Sequence, residues 1–209
     1  MPDWRPNPVI SSKVLAVEGL DEKNFFDKLL KYLNITDFQI EDVGGKDKFH
    51  DRFPALLKTT GFFAPDESPR VTHLGIIRDK DEDEAFESIS NIVATAGLKP
   101  PTKHSKFSDD NPKVGIFIMP GSKVKGTMLE DLCLKTVENH PAMKCVNEFA
   151  SCASALEIKP KNIPKAKVQT FLAAQPEIAN SVGVGAQKNY WDFDSPALEE
   201  LKQFLSHLK

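Results

Sequence analysis

The residues best placed to do chemistry are acids that follow apolar runs. Glu18 comes directly after Val14-Leu15-Ala16-Val17, and Glu22 stands one helical turn beyond it. Asp79 and Asp81 form an Asp-x-Asp pair after the apolar stretch 72–77 and its Arg78, and Glu130 comes one loop after a third apolar run, 114–119. An acid at the covered end of a buried strand loses hydration, which costs free energy unless a proton, a cation or a hydrogen bond compensates it. Clustered carboxylates also repel one another, and an all-oxygen donor set suits a hard divalent ion such as Mg2+ or Mn2+. The pattern therefore predicts a metal site drawn from Glu18, Glu22, Asp79, Asp81 and Glu130. Lys125, beside Lys123 on the loop from Gly121 to Gly126, is the candidate to neutralise a phosphate in a transition state.

Plainer readings stand beside these. Asp81-Glu82-Asp83-Glu84 is an acidic run before a helix, where the macrodipole favours negative charge with or without metal. Thr127-x-x-Glu130 matches a capping box, which would engage Glu130 with a backbone amide. Lys159, Lys161, Lys165 and Lys167 suit either a backbone groove or an exposed connector, and Tyr190, Trp191 and Phe193 suit either base stacking or packing of the C-terminal segment. The histidines are scattered, no G-x-G-x-x-G follows the first apolar run and no G-x-S-x-G elbow is present, which argues against a dinucleotide dehydrogenase and a hydrolase triad.

Something must bring these acids to one edge. Short β-branched runs at 14–17, 72–77 and 114–119 read as buried strands, with 38–43 as a more exposed one. Helical spacing of apolar residues covers 21–34, with Asp21 as its cap, then 48–60, 84–96, a segment opening at Thr127, 168–174 and 196–207. Residues 97–112 read as a loop and 158–164 as a connector. Strands alternating with helices predict an α/β fold with a mostly parallel central sheet, helices on both faces and a helical C-terminal extension. The division is an N-terminal arm (1–12), an α/β core (13–157) and an extension packed on that core (158–209). Parallel sheets bind ligands beyond the carboxyl ends of their strands, where Glu18 and Asp79 fall.

The formal net charge of −3 supplies no global attraction to a polyanion, so nucleic-acid contact would depend on local lysine clusters. No apolar stretch approaches the ~20 residues of a membrane span. Cys133, Cys145 and Cys152 lack C-x-x-C spacing and read as buried thiols in a reducing compartment, which predicts a cytoplasmic location.

Val17-Glu18-Gly19-Leu20-Asp21-Glu22 resembles the first motif of TOPRIM domains, and Ile76-Ile77-Arg78-Asp79-Lys80-Asp81 resembles their acidic D-x-D motif. The set Glu18, Glu22, Asp79, Asp81 and Glu130 is most similar to that of the overcoming-lysogenisation-defect nucleases. The whole chain, including Asn189-Tyr190-Trp191-Asp192-Phe193-Asp194, resembles stand-alone bacterial TOPRIM-like proteins. The resemblance implies a TOPRIM fold over roughly residues 13–140, Mg2+ on the aspartates, and Glu18 in acid/base chemistry or metal binding. Two functions follow from it: a metal-dependent phosphodiesterase or nuclease acting on nucleic acid, or a non-catalytic metal- or nucleotide-binding regulator. No G-x-x-x-x-G-K-S/T is present, so an ATPase partner of the kind attached to the lysogenisation nucleases would be a separate chain.

Overall fold

A computed structural model describes residues 4–80 and 84–209. Five strands form one sheet in the order β2-β1-β3-β5-β4. β1 (Lys13–Val17), β2 (Gln39–Asp42), β3 (His73–Asp79) and β5 (Lys113–Met119) run parallel, and the short β4 (Lys106–Phe107) pairs antiparallel with β5. The central strands are apolar throughout because both of their faces are covered. Val14, Ala16, Leu74, Ile76, Val114 and Ile116 face α2 (Lys46–Leu57) and α3 (Ala85–Thr95). Leu15, Val17, Ile77, Phe117 and Met119 face α1 (Leu20–Tyr32) and the C-terminal helices. The predicted fold class is the one observed.

The strand order sets the place of the site. From β1 the chain crosses to β2 through α1, then returns past β1 through α2 on the opposite face to reach β3. Right-handed crossovers leaving in opposite directions put their helices on opposite faces, which opens a crevice between β1 and β3 beyond their carboxyl ends. Both strands lie in the sheet interior, as their unbroken apolar runs require.

The remaining helices are α4 (Leu129–Thr136), α5 (Met143–Ser154), α6 (Ile163–Ala173), α7 (Val182–Gln187) and α8 (Glu199–Ser206), the last entered through a 3-10 turn, Pro196–Leu198. Ser195 caps that turn by accepting from Ala197 N, with Pro196 at its first position as expected. All five contribute to the core on the α1 side. Trp191 stacks on Phe171 at 5.3 Å and donates to Val182 O at 2.8 Å, while Phe193 meets Phe25 edge-on at 5.7 Å. These rings are therefore packing residues. Among the described residues, no helix is long and apolar enough to cross a membrane.

Several local expectations fail for identifiable reasons. The stretch 97–112 contains β4, because Phe107 stacks between β5 and α8. α6 begins at Ile163, inside the stretch read as a connector, since Asn162 caps it by accepting from Lys165 N at 2.9 Å and Pro164 is tolerated in a first helical turn. α5 and α7 were not anticipated; α5 buries Met143, Val146, Ala150 and Ala153, and α7 is a short glycine-rich stretch. Of the cysteines only Cys133 is buried, whereas Cys145 and Cys152 lie exposed on α5, whose other face meets the core.

Gly115 shows how tightly β5 is covered. A Cβ there would stand 2.5–2.7 Å from three atoms of the Phe107 ring, which is itself stacked on Phe204 at 4.9 Å and near His207 at 5.0 Å. Gly115→Ala is expected to cost about 1–3 kcal/mol by overpacking. The check is the urea midpoint of wild type and variant with the slope unchanged; equal midpoints would mean that Phe107 yields freely.

Candidate functional site

Glu18 and Asp79 end adjacent strands at the crevice. The backbone register of β1 with β3 runs from Lys13–His73 to Ala16–Ile76. Beyond it, Glu18 Oε1 accepts from Asp79 N at 3.0 Å and from Arg78 Nε at 2.8 Å, so a side chain carries the pairing past the end of the ladder. Arg78 is only 4% exposed and also lies over the Phe49 ring at 5.5 Å. Gly45, the N-cap of α2, stands on the other side: a Cβ there would come within 3.2 Å of Glu18 Oε2. The ends of β1 and β3 and the start of α2 thus meet around one carboxylate.

Asp79 closes the crevice toward the C-terminal half. Its Oδ1 accepts from Leu129 N, the first amide of α4, at 3.0 Å. Burial, and after it the charges of Glu18, Glu130 and Glu22, raise its pKa from the ordinary 3.8 to about 8, against the lowering effect of the Leu129 hydrogen bond. Glu22 and Glu130 are also pushed upward, each first by burial. Glu18, Asp21 and Glu130 push Glu22 the same way, and Asp21 and Asp131 do so for Glu130, whereas Lys165 at 3.8 Å pulls Glu130 down. Burial lifts the Cys133 thiol well above its usual value, with Glu130, Asp21 and Asp79 adding to it, so this cysteine is unsuited to thiolate chemistry.

Glu18, Glu22, Asp79 and Glu130 therefore share one electrostatic environment. Asp81 lies outside the described residues. Among the described residues, no three His, Cys, Asp or Glu side chains converge tightly enough to hold one ion as they stand. The donor chemistry nevertheless suits a hard divalent cation, because it is all oxygen and its members are held at a cost by burial and mutual repulsion.

Two acids prove to have other duties. Asp21 does not cap α1, whose N-cap is Gly19 without a side-chain bond; its carboxylate instead accepts from Val182 N at 3.0 Å and Gly183 N at 2.6 Å, at the start of α7. Nor does Glu130 complete a capping box with Thr127. α4 begins one position later than the motif suggested, and Asp131 accepts from Thr127 N at 2.9 Å and Met128 N at 3.3 Å. Glu130 is left to the acid cluster.

Lys125 lines a groove of about 510 Å3 with Lys123, Lys135 and Lys167, between the loop after β5, α4 and α6. A larger cavity, about 900 Å3, lies between α2 and α3 and contains none of the acids; it is lined chiefly by apolar residues such as Leu57, Phe63 and Ile92. Arg78 and His104 are the residues that sequence reasoning missed. His104 Nδ1 accepts from Ile118 N at 3.0 Å, which leaves Nε2 to donate to Glu200 at 3.1 Å, while Glu200 also accepts from Ser122 N and Oγ, each at 2.8 Å. This relay ties α8 to the loop that leads to α4. Arg78 stood within the quoted motif, but no pattern in the sequence told that it turns back to Glu18.

A family described as "Protein of unknown function (DUF3226)" matches residues 12–209. The chain belongs to this family. Two solved structures, both of the C-terminal region of the Xanthomonas campestris pv. campestris OLD protein, one phased with iodine and one with mercury, are similar at 15% identity with TM-scores of 0.49 and 0.48. They cover 95% of this chain, and the chain covers 94% and 95% of theirs. No curated protein matches.

In this DUF3226 member the pKa of Asp79 makes a signed prediction. Between about pH 4 and 8 the folded chain holds a proton on Asp79 that the unfolded chain has released, so this group erodes stability as pH rises through that window and adds no further loss above it. Asp79→Asn removes the penalty and keeps an oxygen for Leu129 N. The variant should match wild type near pH 4 and exceed it by on the order of 3–5 kcal/mol at pH 8.5. Denaturant melts across that range check it, and a pH-independent difference between the two proteins would show that Asp79 titrates normally.

Proposed function

We propose that this chain is a TOPRIM-type phosphodiesterase that cuts nucleic acid with Mg2+ or Mn2+. The reading rests chiefly on one observation: Glu18 and Asp79 sit side by side at the carboxyl ends of β1 and β3, where the strand order reverses. Asp79, with Asp81 beside it in sequence, would hold the ion, and Glu22 and Glu130 would complete its surroundings. When bound, the ion supplies charge neutralisation at a phosphoryl oxygen and a water of lowered pKa. Its entry would displace the Asp79 proton, so affinity should rise with pH. Glu18, held by Arg78 Nε at the end of β1, is the candidate to accept a proton from the attacking water. Lys125 is assigned to the negative charge that develops on phosphate.

A second reading has its own support. Glu18 is already satisfied by Arg78 and Asp79 N, and the carboxylates do not converge on one ion position among the described residues. That arrangement suits a TOPRIM-like regulator that binds a metal or nucleotide without turnover, alone or with a separate ATPase chain.

Purified wild type, Asp79→Asn and Glu130→Gln should be incubated with single- and double-stranded DNA and RNA under Mn2+ titration, with Mn2+ binding measured by calorimetry. Cleavage by wild type should require the metal and fall at least ~100-fold in Asp79→Asn. Because Asp131 and not Glu130 serves the capping role, Glu130→Gln should lose activity without losing thermal stability. Mn2+ binding with no cleavage of any substrate would favour the regulator, and absence of both would reject the metal site.

A further inference from the structure

Four lysines from three separate segments meet on one groove. Lys123 and Lys125 come from the loop after β5, Lys135 from α4 and Lys167 from α6, and Leu134 and Ile163 supply apolar lining between them. The acids of the groove are already engaged: Asp131 accepts from Thr127 N and Met128 N, and Glu138 pairs with Lys135, so Lys123, Lys125 and Lys167 carry the groove's positive charge. The chain as a whole carries −3, so this concentration of cations runs against its overall charge.

The groove also borders the acid cluster directly. Glu130 and Asp131 are consecutive residues in the first turn of α4; Glu130 belongs to the acids around Asp79, whereas Asp131 lines the groove. Lys165 of α6 reaches Glu130 at 3.8 Å, and Lys167, one turn-half further along the same helix, faces the groove and donates to Asn147 at 2.9 Å.

We infer that this groove holds the phosphate backbone of a nucleic-acid strand and leads it to the acid cluster. The inference rests on the phosphodiesterase reading for what happens at the cluster, while the groove itself is testable without turnover. Its charge complements a string of phosphates, and its aliphatic lining suits the sugars between them. Because the lysines contact backbone and not base edges, binding should be strong in its dependence on salt and weak in its dependence on sequence.

The test uses the full chain in EDTA, so that nothing is cut, and a fluorescein-labelled 20-nucleotide strand, alone and as a duplex, followed by anisotropy over a salt series. The double variant Lys123→Glu/Lys167→Glu leaves Lys125 in place. It should weaken binding at least tenfold and flatten the slope of log affinity against log salt by about 1.4 for single strands, the loss of two phosphate contacts. Lys99→Glu/Lys103→Glu, on the exposed loop after α3, makes the same charge change away from the groove and should stay within about twofold of wild type. The milder Lys123→Gln/Lys167→Gln pair, checked by thermal melts, covers the case in which charge reversal unfolds the chain.

Equal weakening by both glutamate pairs, competition by polyglutamate as effective as by an oligonucleotide of equal charge, or no binding by wild type even at low salt would each overturn the groove. Failure of the chemistry reads differently. Groove-dependent binding with no cleavage on adding Mn2+ removes the phosphodiesterase reading alone, whereas metal-dependent cleavage with affinity unchanged in the groove variants removes the groove alone.

Discussion

A single carboxylate oxygen holds the centre of this structure together. Glu18 Oε1 takes both the Arg78 guanidinium and the Asp79 amide, binding the end of β1 to the end of β3 where the chain reverses its direction across the sheet. Arg78 is almost fully buried, so its bond to Glu18 is little screened by water. The pair also reaches α2, because Arg78 lies over Phe49 and Glu18 packs close to Gly45. An electrostatic requirement at one strand end therefore fixes where two crossover helices begin.

The same requirement explains why the C-terminal half belongs to the site. Buried acids need donors, and helix starts supply them as unpaired amides. The start of α4 takes Asp79 and Asp131, and the start of α7 takes Asp21. At α8, Glu200 holds Ser122 and His104, which fixes the loop from β5 that delivers α4. These bonds sort the acids into two sets. Asp21 and Asp131 are committed to the amides of other residues, whereas Glu22, Glu130 and Asp79 stay raised, first by burial, each in spite of one backbone-amide bond.

The sheet was legible in the sequence because a strand covered on both faces must be apolar at every position, as Val14-Leu15-Ala16-Val17 is. The place of the acids was legible for a related reason: a carboxylate directly after such a run has few innocent explanations. Less was readable where geometry differs by one residue. Thr127-x-x-Glu130 and the actual pair of Met128 and Asp131 are the same motif shifted by one, and sequence spacing does not choose between them. Long-range partners were invisible altogether. Nothing in Asp21 announces α7, 161 residues away, and nothing in His104 announces Glu200, 96 residues away.

Helix α4 matters as a partition between opposite charges. Acids stand on one side of its first turn and lysines on the other, and a chain that let them meet freely would neutralise both and lose the use of either. One contact does cross, from Lys165 to Glu130, and its strength decides whether the partition works. The pair spans 3.8 Å and Lys165 is 60% exposed. With Lys165 mostly in water, its attraction to the more buried Glu130 is partly screened. Lys165 thus tempers the acid cluster without blocking it. The bond between Arg78 and Glu18 differs: Arg78 is 4% exposed and Glu18 19%, so water screens this pair less, and it holds Glu18 beside Asp79 at the end of β1.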